Sequence, residues 1–95
     1  MLYRVELFRD ARQALSSLSD KTRGQVSRKI EALASEPRPR GSKALQGKHQ
    51  GLRRIRSGDY RIVYAVEDDR LLVLVVKVGP RAVRRLPLIE VSKRI

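Results

Sequence analysis

Eight basic side chains fall between residues 38 and 61: Arg38, Arg40, Lys43, Lys48, Arg53, Arg54, Arg56 and Arg61. The only acid in that stretch is Asp59. The chemistry open to such a set is phosphate binding, because a guanidinium is planar, permanently charged and able to meet a phosphate with two parallel hydrogen bonds. Strand alternation sharpens the pattern. It places Arg54 and Arg56 on one side of a strand and Ile55 on the other. In the next apolar segment Tyr60, Ile62 and Tyr64 share one face, and Arg61, Val63 and Ala65 share the other. If Ile55 and Ile62 lie in one core, then Arg54, Arg56 and Arg61 converge on the opposite, open face of the sheet. Arg81, just past the third strand, reaches the same surface. The spacing predicts a concave guanidinium patch that binds phosphate; a merely solvated basic sheet face is the alternative.

The whole chain carries the same bias. Lys and Arg number 22 against 10 Asp and Glu, a net charge of +12, or about one uncompensated positive charge per eight of the 95 residues. Arg outnumbers Lys 16 to 6. Such a protein repels itself and attracts polyanions, either nucleic acid or an acidic partner protein. The length predicts one domain, residues 1–95, with a modest core and little room for a deep cofactor pocket. The absence of Cys excludes disulfides, thiol catalysis and Cys-based metal sites. With His49 the only histidine, neither a metal nor a small-molecule cofactor is expected. The longest apolar run, residues 71–76, is strand-length and far short of a membrane span. The first residues lack the apolar stretch of a secretory signal, so the expectation is a cytoplasmic protein without a membrane partner.

The elements that must position these cations can be read from periodicity. Tyr3, Val5 and Leu7 alternate with Arg4 and Glu6, a half-buried strand over residues 2–8. Ala11, Ala14, Leu15 and Leu18 form one stripe of a short helix with Asp10 as its N-cap. Val26, Ile30 and Leu33, widened by Ala34, stripe a second helix capped by Asp20, and Pro37 ends it at Glu36. Gly24 sits inside that helix at a cost of about 1 kcal/mol relative to Ala. Residues 37–51 form a long, basic, turn-rich loop of the kind that usually carries function, with a short strand possible over 43–45. Strands follow at 52–56, 60–66 and 71–78, paired as an antiparallel meander by turns at Ser57-Gly58 and Asp68-Asp69. Gly79-Pro80 breaks the last strand, and Pro87 opens a terminal helix over 88–94. The fold class is α+β in the order β-α-α-β-β-β-α. Its sheet is mainly antiparallel, with an N-terminal helical hairpin on one face and a short C-terminal helix.

The four aromatics, Tyr3, Phe8, Tyr60 and Tyr64, argue against a sheet that stacks bases. Tyr60 and Tyr64 belong with Ile62 in the core, and base-stacking platforms need exposed rings. No helix carries a dense basic stripe with a dimerising partner, which disfavours helix-turn-helix DNA reading.

Three segments resemble one known family. Gly58-Asp59-Tyr60-Arg61-Ile62-Val63-Tyr64 resembles the G-D-Y-R-hydrophobic-hydrophobic-Y hairpin of the RelE/ParE toxin superfamily. Lys43-Ala44-Leu45-Gln46-Gly47 resembles its K-x-L-x-G segment, and Val78-Gly79-Pro80-Arg81 its V-G-x-R. Each motif alone is weak; the three in order, on a matching architecture over essentially the whole chain, are fairly specific. The resemblance implies a RelE-like mRNA interferase toxin of a type II toxin–antitoxin system. Such a toxin is a ribosome-dependent, metal-independent endoribonuclease that cuts mRNA in the A site by 2′-hydroxyl attack on the adjacent phosphate. It also implies roles: Arg61 and Arg81 match arginines that stabilise the transition state, and Arg54 matches a basic position near the scissile phosphate.

Arg56, Arg53, Lys48, Lys43 and Arg40 are the further candidates for RNA or phosphate binding. The sequence departs from the family in lacking a Tyr over residues 82–88 and in having Leu52 at the basic position two before Arg54. Arginine is a poor general base, so Lys48 and His49 are the candidates for acid and base. The partners implied are a cognate antitoxin offering an acidic or amphipathic segment, the ribosome and mRNA. Two other readings stay open: a ParE-like inhibitor of DNA gyrase without nuclease activity, and a non-catalytic RNA- or ribosome-binding module.

Overall fold

Arg4, Val5, Glu6 and Leu7 form the first strand (β1, Arg4–Leu7) of a computed structural model that describes residues 2–80. Two helices follow, α1 (Arg9–Ser16) and α2 (Asp20–Ala32), then β2 (Lys43–Ala44), β3 (Arg53–Ser57), β4 (Tyr60–Glu67) and β5 (Leu72–Pro80). Single 3-10 turns occupy Gly47–His49 and Asp68–Arg70. The five strands make one sheet in the order β1-β5-β4-β3-β2. β2, β3, β4 and β5 pair antiparallel, as the meander predicts, whereas β1 joins the outside of β5 in parallel. The intervening helical hairpin is the crossover that a parallel pairing requires. Among the described residues no helix is long and apolar enough to cross a membrane. Arg81 and the terminal helix expected over 88–94 lie outside the described residues.

The helices begin and end differently from the sequence expectation. Neither Asp10 nor Asp20 is an N-cap. Phe8 precedes α1 without a side-chain cap, and Ser19 caps α2, its Oγ accepting from the Thr22 N–H at 3.3 Å. Asp10 and Asp20 sit two and one positions past the caps, in the first turn, where the helix dipole favours a carboxylate. α2 stops at Ala32 rather than Glu36. The chain tightens there: the amides of Leu33, Ala34 and Ser35 bond three residues back, and the Ala34 carbonyl accepts from Tyr3 N–H at 2.7 Å. A strand-side partner thus takes a carbonyl that a continuing helix would have used. β5 also runs through Gly79-Pro80 instead of breaking there, with Pro80 opposite Tyr60. Among the described residues it has no strand partner on its β1 side beyond Val75, and a residue lacking an N–H is tolerated at such an edge.

The main core lies between helices and sheet. Ala11, Val26, Ile30 and Leu33 pack against Ile55, Ile62, Tyr64 and Val75, with Tyr60 half-buried at the margin. The opposite face is only partly open, which corrects the sequence expectation. Leu52, Val63, Ala65, Leu74 and Val76 form a second buried apolar cluster there. The sequence carried the signal: β5 reads as continuous Leu-Val-Leu-Val-Val, the composition of a strand buried on both sides. A bulge opposite Val63 and Tyr64 then changes the alternation further along β5. It inserts one extra residue, so Val75 and Val78, an odd number of positions apart, both face the helices.

Gly24 has no conformational role in α2. A Cβ there would meet only the flexible end of Arg28 at 3.7 Å, ordinary contact distance. Gly24→Ala is therefore expected to raise the unfolding free energy in urea by about 1 kcal/mol, a rise in Tm of roughly 4–8 °C for a chain of this size.

Candidate functional site: a cationic cleft

Register places the basic residues. In the β3–β4 hairpin Ile55 lies opposite Ile62, and Arg56 opposite Arg61. The Ser57–Tyr60 pair closes on a two-residue turn in which Gly58 takes a φ of +61°, the left-handed conformation that favours glycine at its first position. Ile55 and Ile62 are buried against the helices. By alternation Arg54, Arg56 and Arg61 all project from the other face, as predicted. Two like charges directly opposite each other oppose pairing by something on the order of 0.5 kcal/mol. Burial of the two isoleucines behind them contributes roughly 1.5–3 kcal/mol each, so the core fixes the register and the guanidinium groups are carried with it.

Arg54, Arg56 and Arg61 line one cleft of about 360 Å³ together with Lys29, Arg40 and Lys43. Four parts of the chain contribute: α2, the loop after it, β2 and the β3–β4 hairpin. Among the described residues no acid lines the cleft. The ion pairs Arg4–Glu6, Arg23–Asp20 and Arg38–Asp68 are made by residues outside its lining. The site gathers six basic side chains in one place, the charge that attracts a polyanion.

The loop that delivers Arg40 and Lys43 is held at three points. The Tyr64 hydroxyl donates to the Pro37 carbonyl at 2.8 Å. Arg38 makes two bonds to the Asp68 carboxylate, at 3.1 and 2.8 Å, and the Tyr3 hydroxyl donates to the same carboxylate at 2.6 Å. Arg53 donates to the Ser42 hydroxyl at 2.9 Å, and that hydroxyl donates to the Pro39 carbonyl at 2.8 Å. The Arg38 and Tyr3 hydrogen bonds hold the Asp68 carboxyl down at about 2, and the same contact with Asp68 raises the Tyr3 hydroxyl and the Arg38 guanidinium above their ordinary values.

Of the residues singled out from sequence, Arg40, Lys43, Arg54, Arg56 and Arg61 come together. Arg53 does not: it alternates onto the other side of β3 and acts as a brace for the loop. Lys48 and His49 lie on the 3-10 turn at 47–49, outside the cleft lining. Lys29 was missed because it belongs to α2, a helix read only for its apolar stripe.

Residues 5–84 match the family described as ParE toxin of type II toxin-antitoxin system, parDE. The chain belongs to this family. In structure this toxin is similar to a chain of the RelBE2 toxin–antitoxin complex from Mycobacterium tuberculosis, at a TM-score of 0.77 and 28% identity over 85% of this chain and 100% of that one. It is similar to a chain of the archaeal RelE–RelB complex from Pyrococcus horikoshii OT3, at a TM-score of 0.75 and 31% identity over 88% and 100% of the two chains. The isolated RelE toxin of E. coli gives a TM-score of 0.71 and 28% identity over 97% and 93%. A comparison with curated protein sequences finds no match. The sequence resemblance to the RelE/ParE superfamily and the α+β fold class both hold.

Two substitutions test the loop clamp. Asp68 titrates lower in the folded chain than its ordinary 3.8, so its contribution is complete above about pH 4 and is lost as pH falls toward 2. The stability difference between wild type and Asp68→Asn, followed by denaturation at successive pH values, is expected to shrink across that window. Tyr64→Phe keeps the buried ring and removes only the bond to Pro37. It is expected to cost about 1 kcal/mol in the same assay, the net worth of an ordinary hydrogen bond whose acceptor stays partly open to water.

Proposed function

We propose that this toxin binds an RNA backbone in the cationic cleft and promotes its cleavage on mRNA held in the ribosomal A site. The observation that carries the reading is the set of six cations from separate elements lining one cleft without an acid. In the proposed reaction the ribose 2′-oxygen loses its proton and forms a bond to the adjacent phosphorus. The bond from phosphorus to the 5′-oxygen breaks, and that oxygen takes up a proton. The products are a 2′,3′-cyclic phosphate and a 5′-hydroxyl. Charge accumulates on the phosphate oxygens as the new bond forms. Preorganised guanidinium groups stabilise that charge more than they stabilise the ground state.

Arg54 and Arg61 are assigned to the reacting phosphate. Arg40, Lys43 and Arg56 hold the strand beside it in line for attack. Arg81 joins the transition-state group by its match to the V-G-x-R motif. The lining offers lysine ammonium groups as proton donors, and Lys43, carried by the clamped loop, is one that could reach the leaving oxygen. Alignment of the 2′-hydroxyl is left to the ribosome, in keeping with a cleft that is open and shallow. A cognate antitoxin with an acidic or amphipathic segment would silence the site by covering its positive charge. The relatives solved as toxin–antitoxin complexes support that partner.

A second reading, inhibition of DNA gyrase without RNA cleavage, is favoured by the family match to ParE toxins. Expression without an antitoxin separates the two. Under the first reading translation arrests and primer extension finds cuts in mRNA at A-site codons, while purified protein leaves gyrase supercoiling unaffected. Arg54→Ala and Arg61→Ala are each expected to lower the cleavage rate by about 10²–10³-fold and to relieve toxicity without loss of fold. Undiminished toxicity in both would remove the assigned site, and gyrase inhibition with intact mRNA would establish the second reading.

A further inference from the structure

The cleft does not end at the sheet. β2 pairs with β3 only at Arg53 and Arg54, so among the described residues the outer edge of β3 from Ile55 to Ser57 has no neighbouring strand. At this edge a second hollow of about 470 Å³ opens against α2, lined by Gln25, Arg28, Lys29, Arg56, Ser57 and Gly58. Lys29 and Arg56 line both hollows, which makes them one continuous track. The track turns from the open face of the sheet, around the β3 edge, onto the outer face of α2.

Helical spacing explains why that face is cationic. Val26, Ile30 and Leu33 fill the core side of α2. Asp20 and Glu31, with Gly24 and Ser27 between them at i+4 and i+7, form a second side. Lys21, Gln25, Arg28 and Lys29 form a third, free of acids. Among the described residues, neither acid of α2 lines the track. The lining of the second hollow contains no aromatic or aliphatic side chain. A protein segment gains most of its affinity by burying such anchors, whereas an RNA strand needs only neutralised phosphates.

We infer that the Gln25–Arg28–Lys29 face of α2 is a second phosphate-binding groove, which grips a single RNA strand beyond the part held in the cleft. The inference rests on the cleft being an RNA site and is independent of whether the strand is cut. It gives Arg28 a binding role that lies wholly outside the proposed chemistry.

The test is binding of 2′-O-methyl RNA oligonucleotides of 3 and 12 residues to the full chain, by fluorescence anisotropy across a salt series. These oligonucleotides lack the attacking hydroxyl, so binding is read whatever the outcome for cleavage. Arg28→Gln is expected to weaken the 12-mer roughly 5-fold at about 0.1 M salt and to lower the salt slope by about 0.7, the value for one phosphate contact on a single strand. Gln25→Arg is expected to strengthen the 12-mer by a similar factor, a gain that misfolding cannot mimic. Neither change should move the 3-mer.

Equal effects on both lengths, or an equal loss in Arg12→Gln on the exposed side of α1, would show diffuse charge and overturn the groove. Tighter binding of polyglutamate with the same Arg28 dependence would overturn RNA as the occupant. A 12-mer that responds to Arg28 in a protein that cuts no mRNA would retain the groove and reject the nuclease. An indifferent 12-mer, with Arg54→Ala still relieving mRNA cleavage, would do the reverse.

Discussion

Arg56 and Arg61 stand directly across from each other on adjacent strands, with Arg54 two positions along. Left to themselves these cations would separate. What holds them is the pair behind them, Ile55 opposite Ile62, sealed beneath α2. The hydrophobic gain on one face exceeds the Coulomb cost on the other, which is also weakened by water and salt. The rest of the molecule follows from that imbalance. A one-residue slip of β3 against β4 would move the isoleucines toward solvent and scatter the guanidinium groups, so core and site share one register.

The second constraint is the loop after α2. Its backbone has little regular structure, yet it must bring Arg40 and Lys43 to a site made mostly by strands. Tyr64, Arg38 with Asp68 and Tyr3, and Arg53 with Ser42 hold it from three directions. Two arginines of the basic stretch are used in this way as braces. The charge count of residues 38–61 therefore overstates the number of groups offered to a ligand. Net charge accounts for attraction to a polyanion. The division between braces and binders determines where it is held.

Membership in the ParE toxin family and similarity to solved RelE chains place this fold in toxin–antitoxin systems. The site adds a physical reason for such a pairing. A cleft lined by cations on a small, strongly basic protein attracts polyanions, and an acidic partner would compete with them for it. The same groups that would stabilise a pentacovalent phosphate are those a neutralising partner has to screen. On the proposed reading, toxicity and its suppression converge on one patch of charge.

Much of this was present in the chain as written. Alternation in Arg54-Ile55-Arg56 and in Arg61-Ile62 determined which side chains share a face, because a strand's period of two leaves no other choice. The helical stripes, the short hairpin turns and the three toxin-like segments determined the order of elements. Tertiary structure decided what local periodicity does not encode. It added β1 alongside β5 in parallel, a contact between segments far apart in sequence. It covered part of the supposedly open face with a second apolar cluster, and a bulge that breaks the period returned Val78 to the helix side. It tied Arg53 and Arg38 to other parts of the chain as braces, and it brought Lys29 and Arg28 from a helix to the edge of the sheet. Each of these depends on which distant residue lies opposite, and only the folded chain, by choosing the packing that buries the most apolar surface, settles that.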